Sequence, residues 1–116
     1  MSVSEALGAA DAGRAILDPF IGVFRQQIAG ADLNLGQVDA AIDEYRQAID
    51  SGFRPYYVYM GLSAACAQAG KMEEAKTALA EARRLNPKFS VKRWIDHLAG
   101  GPAVPDGLRK AGLPEE

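Results

Sequence analysis

Cysteine occurs once in this chain, at Cys66, and histidine once, at His97. One cysteine excludes an internal disulfide framework or a cysteine-rich zinc site, and a lone histidine removes most metal and acid–base constellations. Strand-forming residues are scarce as well. Valine, isoleucine and threonine together number 13, against 21 alanines, which disfavours a sheet and favours closely packed helices. No apolar run reaches the roughly 18 residues of a membrane span, so no membrane insertion is expected. An excess of positive charge is missing too: the net charge of −2 and pI of about 5.4 carry no nucleic-acid signature. The first 14 residues lack a basic region followed by an apolar stretch, so no secretion signal is read and a cytoplasmic location is expected. What is present suits one domain: 116 residues, 48% of them hydrophobic and 24% charged, are enough for a real core.

Shifting the chain against itself by 34 residues pairs Ala31 with Ala65, Gly36 with Gly70, Ala41 with Ala75 and Ala48 with Ala82. Ile28 and Leu62, Val38 and Met72, Asp39 and Glu73, Tyr45 and Leu79 fill the gaps. Each unit reads as two antiparallel helices. In the second, Pro55 opens a helix whose apolar stripe is Tyr59, Leu62, Cys66 and Ala69. Gly70 ends that helix, a second runs from about Met72 to Leu85, and Asn86-Pro87 stops it. The first unit repeats the plan, with helices near Ile21 to Leu35 and Val38 to Asp50, broken at Ser51-Gly52. The alanines at 41, 48, 75 and 82 are read as points of close helix approach.

The flanks are less regular. Residues 3–17 form an amphipathic pattern (Val3, Ala6 or Leu7, Ala10, Leu17) interrupted by Gly8 and Gly13. Its end at Leu17-Asp18-Pro19 lies two periods before Leu85-Asn86-Pro87, so residues 1–20 are either the second helix of a degenerate repeat or an unrelated cap. Ser90 can cap a helix through Leu98, ended by Gly100-Gly101, with Val91, Trp94, Ile95 and Leu98 as its packing face. This capping helix occupies 88–101, the repeats 21–87 (about 22–55 and 56–87), and a tail follows at 102–116.

The stretch from Tyr56 to Pro87 resembles a tetratricopeptide repeat, on Tyr59, Leu62-Ser63, Cys66, Gly70, Ala75, Leu79, Ala82 and Pro87. Cys66 and Leu79 stand where that family usually has aromatics. The Gly22–Pro55 unit matches through Ile28-Ala29, Gly36, Ala41, Tyr45 and Ala48, and departs at Arg25, Asp32 and Phe53. The tail Gly107-Leu-Arg-Lys-Ala-Gly-Leu-Pro114, after Asn86-Pro-Lys-Phe-Ser90, is similar to the C-terminal repeat region of proteobacterial class III adenylate/guanylate cyclases. That second likeness implies a relative of the regulatory region alone, because the cyclase catalytic half has no counterpart here.

The resemblance implies an all-α helical solenoid whose first helices line a concave peptide groove. In this register the groove holds Val23, Gln26, Leu33 and Asn34 from one repeat, and Tyr57, Met60, Ala64 and Gln68 from the next. None is lysine or arginine, so a carboxylate clamp is not expected. The surface suits an aliphatic or aromatic peptide, a partner helix, or this chain's own tail, anchored by Leu108 and Leu113 on the slack of Gly100–Pro105. Tyr57 is expected to face the groove and Tyr59 the core.

Candidates for chemistry are thin. Asp39, Asp43 and Glu44 read as a solvated face, His97 as surface or packing, Cys66 as core, and Gly100-Gly101-Pro102 as a linker. No cofactor, metal or catalysis is expected, and the function read is a protein–protein interaction or regulatory module; the alternative is a dimerisation element of a cyclase. Charge is uneven: residues 1–52 carry three basic and eight acidic side chains, residues 71–93 seven and three. A solvated face and end-to-end stacking of copies both fit that asymmetry.

Overall fold

The structure, a computed structural model, describes residues 14–97 and 101–116. Its elements are α1 (Arg14–Asn34), α2 (Val38–Asp50), α3 (Tyr56–Gln68), α4 (Met72–Leu85), α5 (Val91–His97) and α6 (Ala103–Ala111), with no strand among the described residues. The architecture is all-helical, and its packing is compatible with a helical repeat. α1 pairs with α2 and α3 with α4; α2 then packs on α3, and α6 lies chiefly against α3.

The 34-residue shift reappears as geometry. Gly36 closes α1 at φ 80° and Gly70 closes α3 at φ 79°, a left-handed backbone that costs glycine little. In each turn the residue after glycine donates back to a helical carbonyl, Gln37 N to Asp32 O and Lys71 N to Cys66 O, both at 2.8 Å. Those residues, Gln37 and Lys71, then open the next helices at nearly identical dihedrals (φ −87°, ψ 70° and 69°). Ala41, Ala48, Ala75 and Ala82 have no exposed surface. One close approach is visible directly: Ser63 Oγ donates to Ala75 O at 2.7 Å inside the second hairpin, so the hydroxyl is satisfied without separating α3 from α4.

Three expectations change. α1 (Arg14–Asn34) passes through Pro19 unbroken, so the stop read at Leu17-Asp18-Pro19 is not there. Pro19 lacks an N–H, so the loss is confined to one backbone bond. The rest of the 1–20 segment, residues 1–13, lies outside the described residues, as does Leu98. In the capping helix, Ser90 accepts from Arg93 N at 3.3 Å as expected, and Val91 and Trp94 are buried, but Ile95 is 53% exposed. The segment read as a tail with a slack linker contains a helix: Ala103 to Ala111 are helical, with Val104 and Pro105 buried in its first turn.

Candidate peptide-binding groove

α6 lies in the surface where a partner segment was expected. Its approach to α3 is set by Gly107, where a Cβ would stand 2.5 Å from Ala64 O and 2.7 Å from Ala64 Cα. No larger residue fits without moving a backbone. Around that point Val104, Leu108, Ala111 and Leu113 are each at most 7% exposed. Fully burying a leucine contributes roughly 1.5–3 kcal/mol, so Leu108 and Leu113 are the main anchors. Nine residues containing Pro105 and Gly107 would not hold a helix alone. α6 is therefore a helix because it is packed.

Polar contacts fix its register. Gln68 Nε2 donates to Ala103 O at 3.3 Å, Lys110 Nζ donates to Gln68 Oε1 at 2.7 Å, and Ala103 N donates to Asn34 Oδ1 at 3.2 Å. Beyond α6, Leu113 N and Gly112 N turn back onto Leu108 O and Arg109 O, closing the helix with both leucines inside. The chain then reaches α5, where Val91 N and Lys92 N donate to Pro114 O and Glu115 O at 2.9 Å each. Arg109 ties the same turn to Glu115 at 2.5 Å and to Asp106 at 3.0 Å.

Beside α6 a cavity of about 590 Å³ stays open, lined by Val23, Gln26, Gln27, Gly30, Ala31, Asn34, Tyr45, Tyr57, Trp94 and Val104. That volume lies within the range of ordinary ligand sites, and no lining residue is charged. Its polar side-chain groups are amides, an indole and two phenols. Burial pushes the Tyr45 phenol well above its ordinary 10.0, so the hydroxyl stays protonated and able to donate. The cavity's Tyr57 and Trp94 are joined through neighbouring rings: centroids run from Phe53 to Tyr57 (6.0 Å), Tyr57 to Tyr56 (5.6 Å), Tyr56 to Phe89 (5.0 Å) and Phe89 to Trp94 (6.0 Å). Such a site can hold an apolar or aromatic side chain and bond a neutral backbone.

The eight groove residues read from the sequence fall into two groups. Val23, Gln26, Asn34 and Tyr57 line the open cavity. Leu33, Met60 and Ala64 are 3%, 0% and 0% exposed and offer no free surface, while the partly exposed Gln68 is bonded to α6. Tyr59, expected in the core, is half-buried beside α4. The sequence reading missed Trp94 and Val104, which reach the cavity from elements remote in the chain. Gly107 was visible as a glycine inside the tail, but nothing local said what it approaches.

Elsewhere, Cys66 is buried; burial first, and then the Glu74 carboxylate, push its thiol up. Asp39 and Asp43 are exposed, and among the described residues no group of three metal-binding side chains gathers. No described helix is long and apolar enough to cross a membrane. Compared with protein-family models, curated proteins and solved structures, the chain matches none.

Proposed function

We propose that this chain is a tetratricopeptide-type interaction module without catalytic activity, acting in the cytoplasm on a protein or peptide partner. Its concave groove is shared between the chain's own C-terminal helix and an incoming neutral, apolar segment. The observation that carries the reading is α6 seated on Ala64, its leucines buried, beside an uncharged aromatic cavity. A groove that orders a short, weak helix is a groove able to order a similar segment from another protein. Tethering supplies a local concentration of roughly millimolar, so the tail competes with any partner weaker than that.

The test uses the tail as its own probe. A chain ending at Gly101 should bind a synthetic 102–116 peptide by calorimetry, and a Gly107→Ala peptide should not bind. A folded, truncated chain that ignores the peptide refutes the groove as a helix receptor. A second reading, a regulatory or dimerisation region of a cyclase, draws on the same tail. Gly107, Leu108, Ala111 and Leu113, which carry that likeness, are the residues that pack α6. A species far above 12.4 kDa on a denaturing blot of the native cell would favour it.

A further inference from the structure

The seam between the two hairpins has one half exposed at each end of the molecule. Inside the chain α3 lies on α2, and Gly61 approaches so closely that a Cβ there would stand 2.3 Å from Tyr45 Cζ. Val58 and Ala65 share that stripe of α3 with Gly61 and are fully buried. At the same register 34 residues earlier, α1 carries Phe24, Gln27 and Ala31. All three are exposed, Phe24 by 56%.

The complementary half lies on the second hairpin. An open hollow of about 700 Å³ between α3 and α4 is lined by Tyr59, Leu62, Thr77, Ala78 and Ala80, with Glu73, Glu74, Glu81 and Arg84 as its charged members. The counterparts of the five uncharged ones in the first hairpin are Arg25, Ile28, Asp43, Glu44 and Arg46, four of them charged. Terminal units of helical arrays normally turn a polar face to water. Here Tyr59 and Leu62 are half-buried and Ala80 is exposed, at the register where the first hairpin carries Arg25, Ile28 and Arg46.

We propose that a second copy of this chain covers the hollow, its Phe24 seated among Tyr59, Leu62 and Ala78, so that the α2–α3 seam is repeated between molecules. The registers are compatible. Tyr45 opposite Gly61 inside the chain becomes the smaller Leu79 opposite the larger Gln27 between chains. The Arg46–Glu74 ion pair becomes Ala80 opposite Ala40, so that pair of charges has no counterpart at the joint. The contact is heterologous, and each added copy presents the same free faces, so chains add head to tail. Phe24 and the hollow lie outside the groove, whereas Gln27 and Ala31 also line its cavity.

Sedimentation velocity of the full chain over a wide concentration range tests it. The average mass should climb from 12.4 kDa without stopping at a dimer. Phe24→Glu and Ala80→Arg replace exposed residues and should leave the helical circular dichroism intact. Each should raise the dissociation constant at least about tenfold, equivalent to about 1.4 kcal/mol. Thr77→Arg, on the same face as Ala80, should behave like Ala80→Arg. Mixed together, F24E and A80R should pair one to one through their remaining intact faces and grow no further. A wild type that is monomeric throughout, a species that stops at two, or a mixture that stays monomeric would each overturn the proposal.

Discussion

In the first hairpin the side chains along the seam are Arg25, Glu44 and Gln47; in the second the same positions hold Tyr59, Ala78 and Glu81. Arg25 bonds Gln47 and lies 3.8 Å from Glu44, while Arg25 Nε and Glu44 Oε2 are buried without a hydrogen-bond partner among the described residues. Yet both hairpins close with the same glycine turn and the same buried alanines. Backbone repetition therefore rests on a few steric positions, and the chemistry of each exposed face varies independently of it. At this register the first hairpin is the more heavily charged, and the second offers Tyr59, Leu62 and Ala80 between the charges of its hollow.

The largest effects should come from the shared steric positions. Ala41→Leu and Ala75→Leu each overpack a site with no exposed surface and should cost roughly 1–3 kcal/mol or more in denaturant unfolding. Equal losses would show two equivalent hairpins, whereas a loss in one alone breaks the equivalence. Next comes Gly107→Ala. Glycine to alanine inside a helix ordinarily stabilises by about 1 kcal/mol. Here the added Cβ meets the Ala64 backbone, so the sign should reverse and limited proteolysis should cut the released tail.

The polar seam can be converted to resemble the second hairpin. Arg25→Met with Glu44→Leu should be neutral or stabilising, whereas Arg25→Ala alone should cost about 1–3 kcal/mol by stranding Glu44. The hairpins should also differ in alkali. Both the Cys66 thiol and the Tyr45 phenol are raised by burial, so both stabilising contributions are intact at neutral pH. The unfolded chain loses each proton first, so stability falls as pH rises past the ordinary 9.0 for Cys66 and 10.0 for Tyr45. Cys66→Ala should remove the earlier part of that fall and Tyr45→Phe the later, read from melting temperature against pH. The smallest effect belongs to Arg46, whose pair with Glu74 is about half exposed. Arg46→Ala should cost about 0.2–1 kcal/mol, and less in high salt.

Much of the fold was legible because its determinants are steric and local. Gly36, Gly70 and the four alanines are the residues with least freedom to change, and they carry the period in the sequence. The α1 boundary was not legible, because a proline stop signal at Pro19 competes with the helix it interrupts. α6 was hidden for the opposite reason: Pro105 and Gly107 argue against a helix, and burial on α3 overrides them. Val23, Gln26, Asn34 and Tyr57, which line the open cavity, follow from helical register alone. That the other groove residues are buried or bonded to α6 depends on contacts between residues about forty positions apart, which no local pattern records.

The bonds from Val91 N and Lys92 N to Pro114 O and Glu115 O place a gauge outside the element it measures. Both amides belong to α5, but neither is protected from solvent deuterium unless the final turn of the tail is in place. Their exchange rates therefore report the fraction of time that α6 is docked, in the unmodified protein and without a label. A ligand that takes the groove would speed exchange at these two amides while leaving those of α4 slow. Displacement and simple binding beside the tail would then be distinguishable from two resonances.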